Sequence, residues 1–463
     1  MTTFGRTRQI HFVGVGGIGM SGIAELLVNL GYGVSGSDAR RTELTDRLAS
    51  LGVRVAIGHH ASNIGDADVV VTSSAVKVDN PEVVAARAKH VPVIPRAEML
   101  AELMRLRFGI AIAGAHGKTT TTSMVALMLE RAGLDPTAVI GGRLSAFGSN
   151  ARLGRGNLMV VEADESDRSF LKLSPSIAVI TNIDHEHMES YGSFDRLLDA
   201  FVDFADKVPF YGAVVACIDD PHVRAILPRL SRRVITYGFS ADADVRGIDP
   251  TTDGRGGRCT LAHGPLAVGV PGLHNLLNGL AAVAVGLELG VPFDRIAPAL
   301  AEFHGADRRY QHKGSVGGVT VVDDYGHHPT EISAVLRAAR AGAPSRVIAV
   351  FQPHRYTRTR DLLAEFGAVL AEADVTLLTE VYAAGEMPIP GASSSAIADA
   401  IRAHGRGTVE LVPALADLAP RVAEIARDGD LVLTLGAGSI GTVGDAIVAA
   451  LQARVVSQQA VSQ

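Results

Sequence analysis

An apolar strand that runs straight into Gly114-Ala115-His116-Gly117-Lys118-Thr119-Thr120-Thr121-Thr122 constrains this chain more than any other stretch. Phe108 to Ala113 reads as the strand, and a helix is predicted from Lys118 to Arg131, closed by Gly133. Strand, glycine turn, lysine and hydroxyl residues in that order call for a parallel α/β sheet whose strand end opens on a helix N-terminus. The backbone N–H groups of such a turn cradle phosphates, Lys118 adds a mobile charge, and the Thr119 hydroxyl can hold magnesium. ATP with magnesium is the expected ligand, touching Gly114, Ala115, His116, Gly117, Lys118, Thr119 and Thr120. The spacing is GxxGKT, shorter than the common phosphate loop, because Ile112 stands where the longer motif has its first glycine. A plain strand-to-helix turn with a surface lysine is the rival reading.

The 463 residues suffice for about three domains of ordinary size. Alternating apolar runs and helical patterns fall into three blocks. The first opens with a β pattern, Gln9 to Val15, followed by Gly14-Val15-Gly16-Gly17-Ile18-Gly19, a helix ending near Gly31, and a strand from Tyr32 to Ser37 that meets Asp38. That unit matches the dinucleotide fingerprint. The second block continues from the phosphate loop through strands at Leu158 to Ala163, Ile177 to Asn182 and Ala213 to Cys217. Its glycine-rich stretch from Val234 to Val270 predicts an antiparallel extension, and a helix from Asn275 to Leu289 closes it. The third block is a second doubly wound unit, with strands at Val319 to Val322, Val347 to Phe351, Val375 to Leu378 and Leu431 to Leu435. Its first helix is bounded by Pro329 and Gly342, and the polar end from Ser457 to Gln463 is expected to fray.

Ionisable groups cluster just past these strands, the edge at which open α/β sheets gather ligands. Glu162-Ala163-Asp164-Glu165-Ser166-Asp167 supplies four carboxylates, and Glu162 is a second magnesium ligand beside Thr119 unless the loop is merely solvated. In Asp184-His185-Glu186-His187 one histidine is suited to a metal or to the γ-phosphate, although paired loop histidines are commonly plain surface residues. Asn275 offers an amide to an adenine edge and equally a helix cap. Arg308, in Gly305-Ala306-Asp307-Arg308-Arg309, is placed to reach a transferring phosphoryl group or to form a structural ion pair. Asp323-Asp324-Tyr325-Gly326-His327-His328 and His354-Arg355-Tyr356-Thr357-Arg358 put histidines and carboxylate-binding arginines at two βα turns.

Taken together, seven ordered motifs over essentially the whole chain resemble the Mur ligase family of peptidoglycan synthesis. The resemblance implies an N-terminal Rossmann-like domain for a UDP-sugar (1–106), a central P-loop ATPase domain (107–312) and a C-terminal Rossmann-like domain for the amino acid (313–463). It implies Lys118, Glu162, His187 and Arg308 as catalytic groups, with magnesium on Thr119, Glu162 and His187, and Asn275, Arg308 and Asp323 on ATP beside the phosphate loop. Gly14, Gly16, Gly17, Gly19 and Asp38 turn from NAD to a UDP-sugar, joined by His327, Arg355 and Arg358. The same His327, Arg355 and Arg358, with His354, face the amino acid. Within the family, the glycine-rich opening and DDYGHHPTEI favour the branch that adds L-alanine to UDP-N-acetylmuramate over the branch that adds a preformed tripeptide. The chain departs from the family pattern at Ala115, where threonine is frequent, and at Ser439, where aspartate is.

An NAD-dependent oxidoreductase explains only Gly14 to Asp38 and leaves the phosphate loop idle, and a catalytically silent nucleotide-binding regulator leaves Lys118, Thr119, Glu162 and His187 without a purpose. The net charge of −6 and the absence of long Lys/Arg runs give no support to a nucleic-acid partner. Two cysteines and no apolar leader point to a reducing cytoplasm and to no membrane insertion. Monomer and homodimer both remain open.

Overall fold

The computed structural model describes residues 4–461 apart from Ser74 and residues 145–148; Ser462 and Gln463 of the expected frayed end lie outside the described residues. The first sheet contains β1 (Gln9–Val13), β2 (Gly33–Asp38), β3 (Arg54–Ile57), β4 (Val69–Thr72) and β5 (Val93–Pro95) in the order β3-β2-β1-β4-β5, all parallel. The order reverses at β1, so its carboxyl end, where the first glycine turn sits, is a switch point.

The second sheet contains β6 (Phe108–Ala113), β7 (Thr137–Leu144), β8 (Ser149–Arg152), β9 (Leu158–Glu162), β10 (Ile177–Ile180), β11 (Ala213–Cys217), β12 (Val234–Gly238) and β13 (Val245–Arg246). Its order is β13-β12-β11-β10-β6-β9-β7-β8. β6, β9, β10 and β11 are apolar almost throughout because helices cover both faces of a parallel sheet. β12 and β13 pair in parallel with this sheet, which corrects the antiparallel extension expected there; polar, glycine-rich sequence marks an edge strand but not its direction. The rest of that stretch, β14 (Ile248–Thr252), β15 (Gly257–Leu261) and β16 (Gly264–Val268), forms a separate three-stranded sheet.

The last sheet has the order β17-β18-β22-β19-β20-β21, with β17 (Gln311–Val316), β18 (Val319–Asp324), β19 (Arg346–Phe351), β20 (Val375–Leu378), β21 (Thr408–Leu411) and β22 (Asp430–Leu435). Only the edge strand β17 is antiparallel. The closing helix runs from Val443 to Val461, so the polar residues expected to fray continue it. By length and composition it is the one described helix able to cross a membrane, yet Val443, Ile447 and Leu451, spaced one turn apart, are packed in the core beside this sheet.

The chain divides into two compact units, Met1–Asp249 with Thr260–Leu266 and Leu277–Phe303, and Pro250–Cys259 with Ala267–Leu276 and His304–Gln463. The first two sheets share one unit because a single hydrophobic core, running from Ile10 and Phe12 to Phe201 and Ile226, serves both. In the second unit the six-stranded sheet has a core on each face, one around Phe351 and Phe366 and one around Ile348 and Ile447. Cys217 and Cys259 are buried free thiols.

Candidate active site

In the first unit the glycine turn after β1 is folded onto the end of β2. The N–H groups of Gly14 and Val15 both donate to the Ser37 carbonyl (2.8 and 2.9 Å), and that of Gly16 donates to Asp38 Oδ2 at 2.9 Å. Gly14 needs its freedom, with φ +80°, and a side chain at Gly16 would strike the Asp38 carboxylate. Asp38 thus shapes the loop. The helix Ile18–Asn29 begins at Gly17 with no side-chain cap and no acidic residue in its first turn, which leaves a positive end free for an anion. Arg96, missed in the sequence because it opens a helix outside any motif, lies over Gly19 and reaches to 3.9 Å of Asp164.

The phosphate loop after β6 is clamped from the neighbouring β10. Ala115 N–H donates to the Asn182 carbonyl (3.1 Å), His116 N–H to Asn182 Oδ1 (2.8 Å), and Thr181 Oγ1 to the His116 carbonyl (2.7 Å), while the His116 ring meets Asp184 at 2.9 Å. Gly114 (φ +134°) and Gly117 (φ +81°) hold conformations that side chains resist. Beyond Gly117 the helix Lys118–Arg131 again starts without a side-chain cap, so the N–H groups of Lys118, Thr119 and Thr120 face the same edge. In the sequence Asn182 marks only the end of a predicted strand and Asp184 the start of a motif read for its histidines; their clamping role follows from strand order, which the sequence does not reveal.

Lys118 Nζ donates to the carbonyls of Gly114 (2.6 Å) and Ala115 (3.0 Å) and to Glu165 Oε1 (2.9 Å). Burial opposes its charge, but the carboxylates of Glu165, Asp164 and Glu162 outweigh that and hold the ammonium protonated. Burial pushes the Glu165 carboxyl up to about 7, with Lys118 pulling the other way. Thr119 Oγ1 donates to Glu162 Oε1 at 3.1 Å. His187 Nε2 stands 3.9 Å from Glu165 Oε1 and 3.8 Å from Glu186 Oε2. A hydroxyl and several carboxylate oxygens at one sheet edge are oxygen donors of the kind that suit magnesium.

The remaining candidates lie in the second unit. Asn275 donates to the Pro271 carbonyl at 2.6 Å, a turn contact, whereas Asn278 in the first unit lies against Gly117. Arg308 Nε binds Asp323 Oδ2 at 2.9 Å and Nη2 binds the Gly436 carbonyl, tying β18 to the turn after β22. Next to it, Asp324 accepts from the N–H groups of Tyr310 and Gly326 (2.7 Å each), and burial pushes it up to about 6 against the pull of Arg309. His327 and His354 come together with ring centroids 5.6 Å apart, and Arg358 Nη1 reaches His354 Nδ1 at 3.4 Å. Burial, then the positive neighbours His327, Arg358 and Arg355, lower His354 to about 3, so its ring is neutral near pH 7. Arg355 holds φ +70°, strain of the kind that accumulates at working sites. Tyr382, unmarked in the sequence, stacks on His354 at 5.5 Å.

Three family descriptions match in sequence: the Mur ligase family, catalytic domain, over residues 9–108, the Mur ligase middle domain over 112–286, and the Mur ligase, glutamate ligase domain, over 308–438. The UDP-N-acetylmuramate--L-alanine ligase of Pelobacter propionicus is 55% identical over 457 residues, covering 97% of this chain and 99% of that protein. Among solved structures, the UDP-N-acetylmuramate-alanine ligase of Thermotoga maritima superposes with a TM-score of 0.81 at 30% identity, over 96% of this chain and 99% of that one. A murein peptide ligase from Psychrobacter arcticus shares the fold, with a TM-score of 0.71 at 24% identity over 96% and 98% of the two chains.

Proposed function

The chain belongs to the Mur ligase family, and from that premise we propose that it joins L-alanine to the lactyl carboxylate of UDP-N-acetylmuramate at the expense of ATP, in peptidoglycan precursor synthesis in the cytoplasm. The amino acid and sugar follow from the near full-length likeness to the Pelobacter propionicus ligase. The observation that carries the ATP half is the Thr119–Glu162 contact of 3.1 Å at the uncapped start of the Lys118 helix. We assign the UDP-sugar to residues 1–106, ATP to 107–312 and the amino acid to 313–463.

In this reading the lactyl carboxylate attacks the γ-phosphorus in line, ADP leaves, and the amine of L-alanine displaces phosphate from the acyl phosphate. Two anions must meet, so the site has to gather positive charge. Lys118 supplies a permanent one, and the open N–H groups of Lys118, Thr119 and Thr120 bind phosphate oxygens without deforming. Thr119, Glu162 and His187 would hold magnesium, which neutralises phosphate charge as it transfers. Arg308 is assigned to stabilise the phosphoryl charge as it transfers, with Asp323 and the Gly436 carbonyl fixing its direction. His354, neutral at the pH of catalysis, accepts hydrogen bonds, while Arg355 and Arg358 hold carboxylates.

The test is phosphate release from ATP with magnesium and UDP-N-acetylmuramate, offering L-alanine, glycine, L-serine or a tripeptide, with the product weighed. Release that depends on L-alanine, with a product heavier by one alanine residue, is expected. Release with the tripeptide alone would reassign the chain to the recycling branch.

A further inference from the structure

Beneath the first sheet lies a fully buried carboxylate that no part of the mechanism uses. Glu82, in the first turn of the helix Pro81–Ala88, has an exposure of 0% and gathers donors from separate segments. Ser37 Oγ (2.6 Å) and His11 Nε2 (3.2 Å) meet Oε2; Asn63 Nδ2 (2.6 Å) and the His60 N–H (3.2 Å) meet Oε1, and His59 Nδ1 lies 3.6 Å from Oε1. Since the Ser37 hydroxyl proton goes to Glu82, its oxygen accepts from His59 Nδ1 at 2.9 Å. His11 is also wholly buried, its other nitrogen on Ser35 Oγ at 2.8 Å.

What this cluster touches gives it a purpose. Ser37 turns its side chain to Glu82 and its carbonyl to the N–H groups of Gly14 and Val15. The next residue, Asp38, takes Gly16 N–H on its carboxylate and Gly58 N–H on its carbonyl, and Asn63 Nδ2 spans Glu82 and the Gly58 carbonyl. Glu82 therefore pins the end of β2 and the segment 58–63, and that strand end is the template on which the first glycine turn is folded. We propose that Glu82 is a positioning residue for the nucleotide-sugar: through Ser37 and Asp38 it sets the path of the Gly14–Gly19 turn and the aim of the helix end behind it. This rests on the reading that the turn holds the UDP-sugar.

Glu82→Gln keeps the shape but turns one acceptor oxygen into a donor amide facing Ser37 or Asn63, where donors already converge. Ser37→Ala breaks the relay while leaving Glu82 in place, and serves should E82Q fail to fold. The measurements are KM for UDP-N-acetylmuramate and for ATP, kcat at saturation, and calorimetric binding of UDP-N-acetylmuramate and of UDP alone. For both variants KM for the nucleotide-sugar should rise about tenfold, with the ATP KM and kcat within about twofold of the parent. An unchanged nucleotide-sugar KM, or equal rises in both KM values, overturns the proposal, because a purely structural role spreads its damage over both substrates. If the parent enzyme binds UDP but turns over no UDP-N-acetylmuramate, the function proposed above fails, and weakened UDP binding in the variants still upholds the role of Glu82.

Discussion

A single charge decides much at the phosphate edge. Lys118 contacts two loop carbonyls and Glu165, so Lys118→Ala removes both phosphate charge and a strap on the loop. Turnover should fall about 10²-fold or more, by analogy with deleting one preorganised electrostatic group; near-parental phosphate release would reject the assignment. Glu82 makes a different prediction, on stability against pH. Burial alone would raise its carboxyl, but the bonds from His11, Ser37 and Asn63 prevail and lower it from 4.5 to about 2. A carboxyl lowered on folding stabilises the native state above its unfolded value, and that contribution disappears as pH falls from 4.5 towards 2. The shift is worth about 3 kcal/mol. Parent and E82Q should therefore differ most in urea midpoint near neutral pH and converge as pH approaches about 2; a gap independent of pH would contradict the ionised network.

Turns and strand ends carry the next level of detail. Gly117 has φ +81°, and an added Cβ would lie 2.6 Å from Asn278 Oδ1. Gly117→Ala should cost about 1–3 kcal/mol of stability through backbone strain and raise the ATP KM steeply; an ATP KM equal to the parent's would show that the loop tolerates another path. The elements themselves were largely legible. β6 and β11 occupy the very residues that apolar runs mark, because strands buried on both faces leave no polar interruption. β3 and β21 passed unnoticed, being edge strands with mixed sequences. The site was legible where one motif sits on one turn, as with Lys118 and Thr119. Groups that meet through strand order, such as Asn182 under His116, Arg96 over Gly19 or Tyr382 on His354, leave no local trace.

Over the whole chain, packing gives two compact units with cores of their own, and the first two sheets fall in one of them because they share one apolar interior. Heating should show more than one transition in calorimetry. Magnesium-ATP at a hundredfold excess over its Kd should stabilise the unit bearing the phosphate loop by about 2.7 kcal/mol. A single transition with equal calorimetric and van't Hoff enthalpies would mean that the units unfold together. Cys217 and Cys259 have a practical bearing on such experiments. Burial pushes both thiols up to about 11, so neither offers an accessible thiolate near neutral pH. The folded enzyme is thus a nearly silent background for maleimide dyes, and one cysteine placed at Phe210, 91% exposed, becomes a single addressable handle for fluorescence without deleting a native residue of the core.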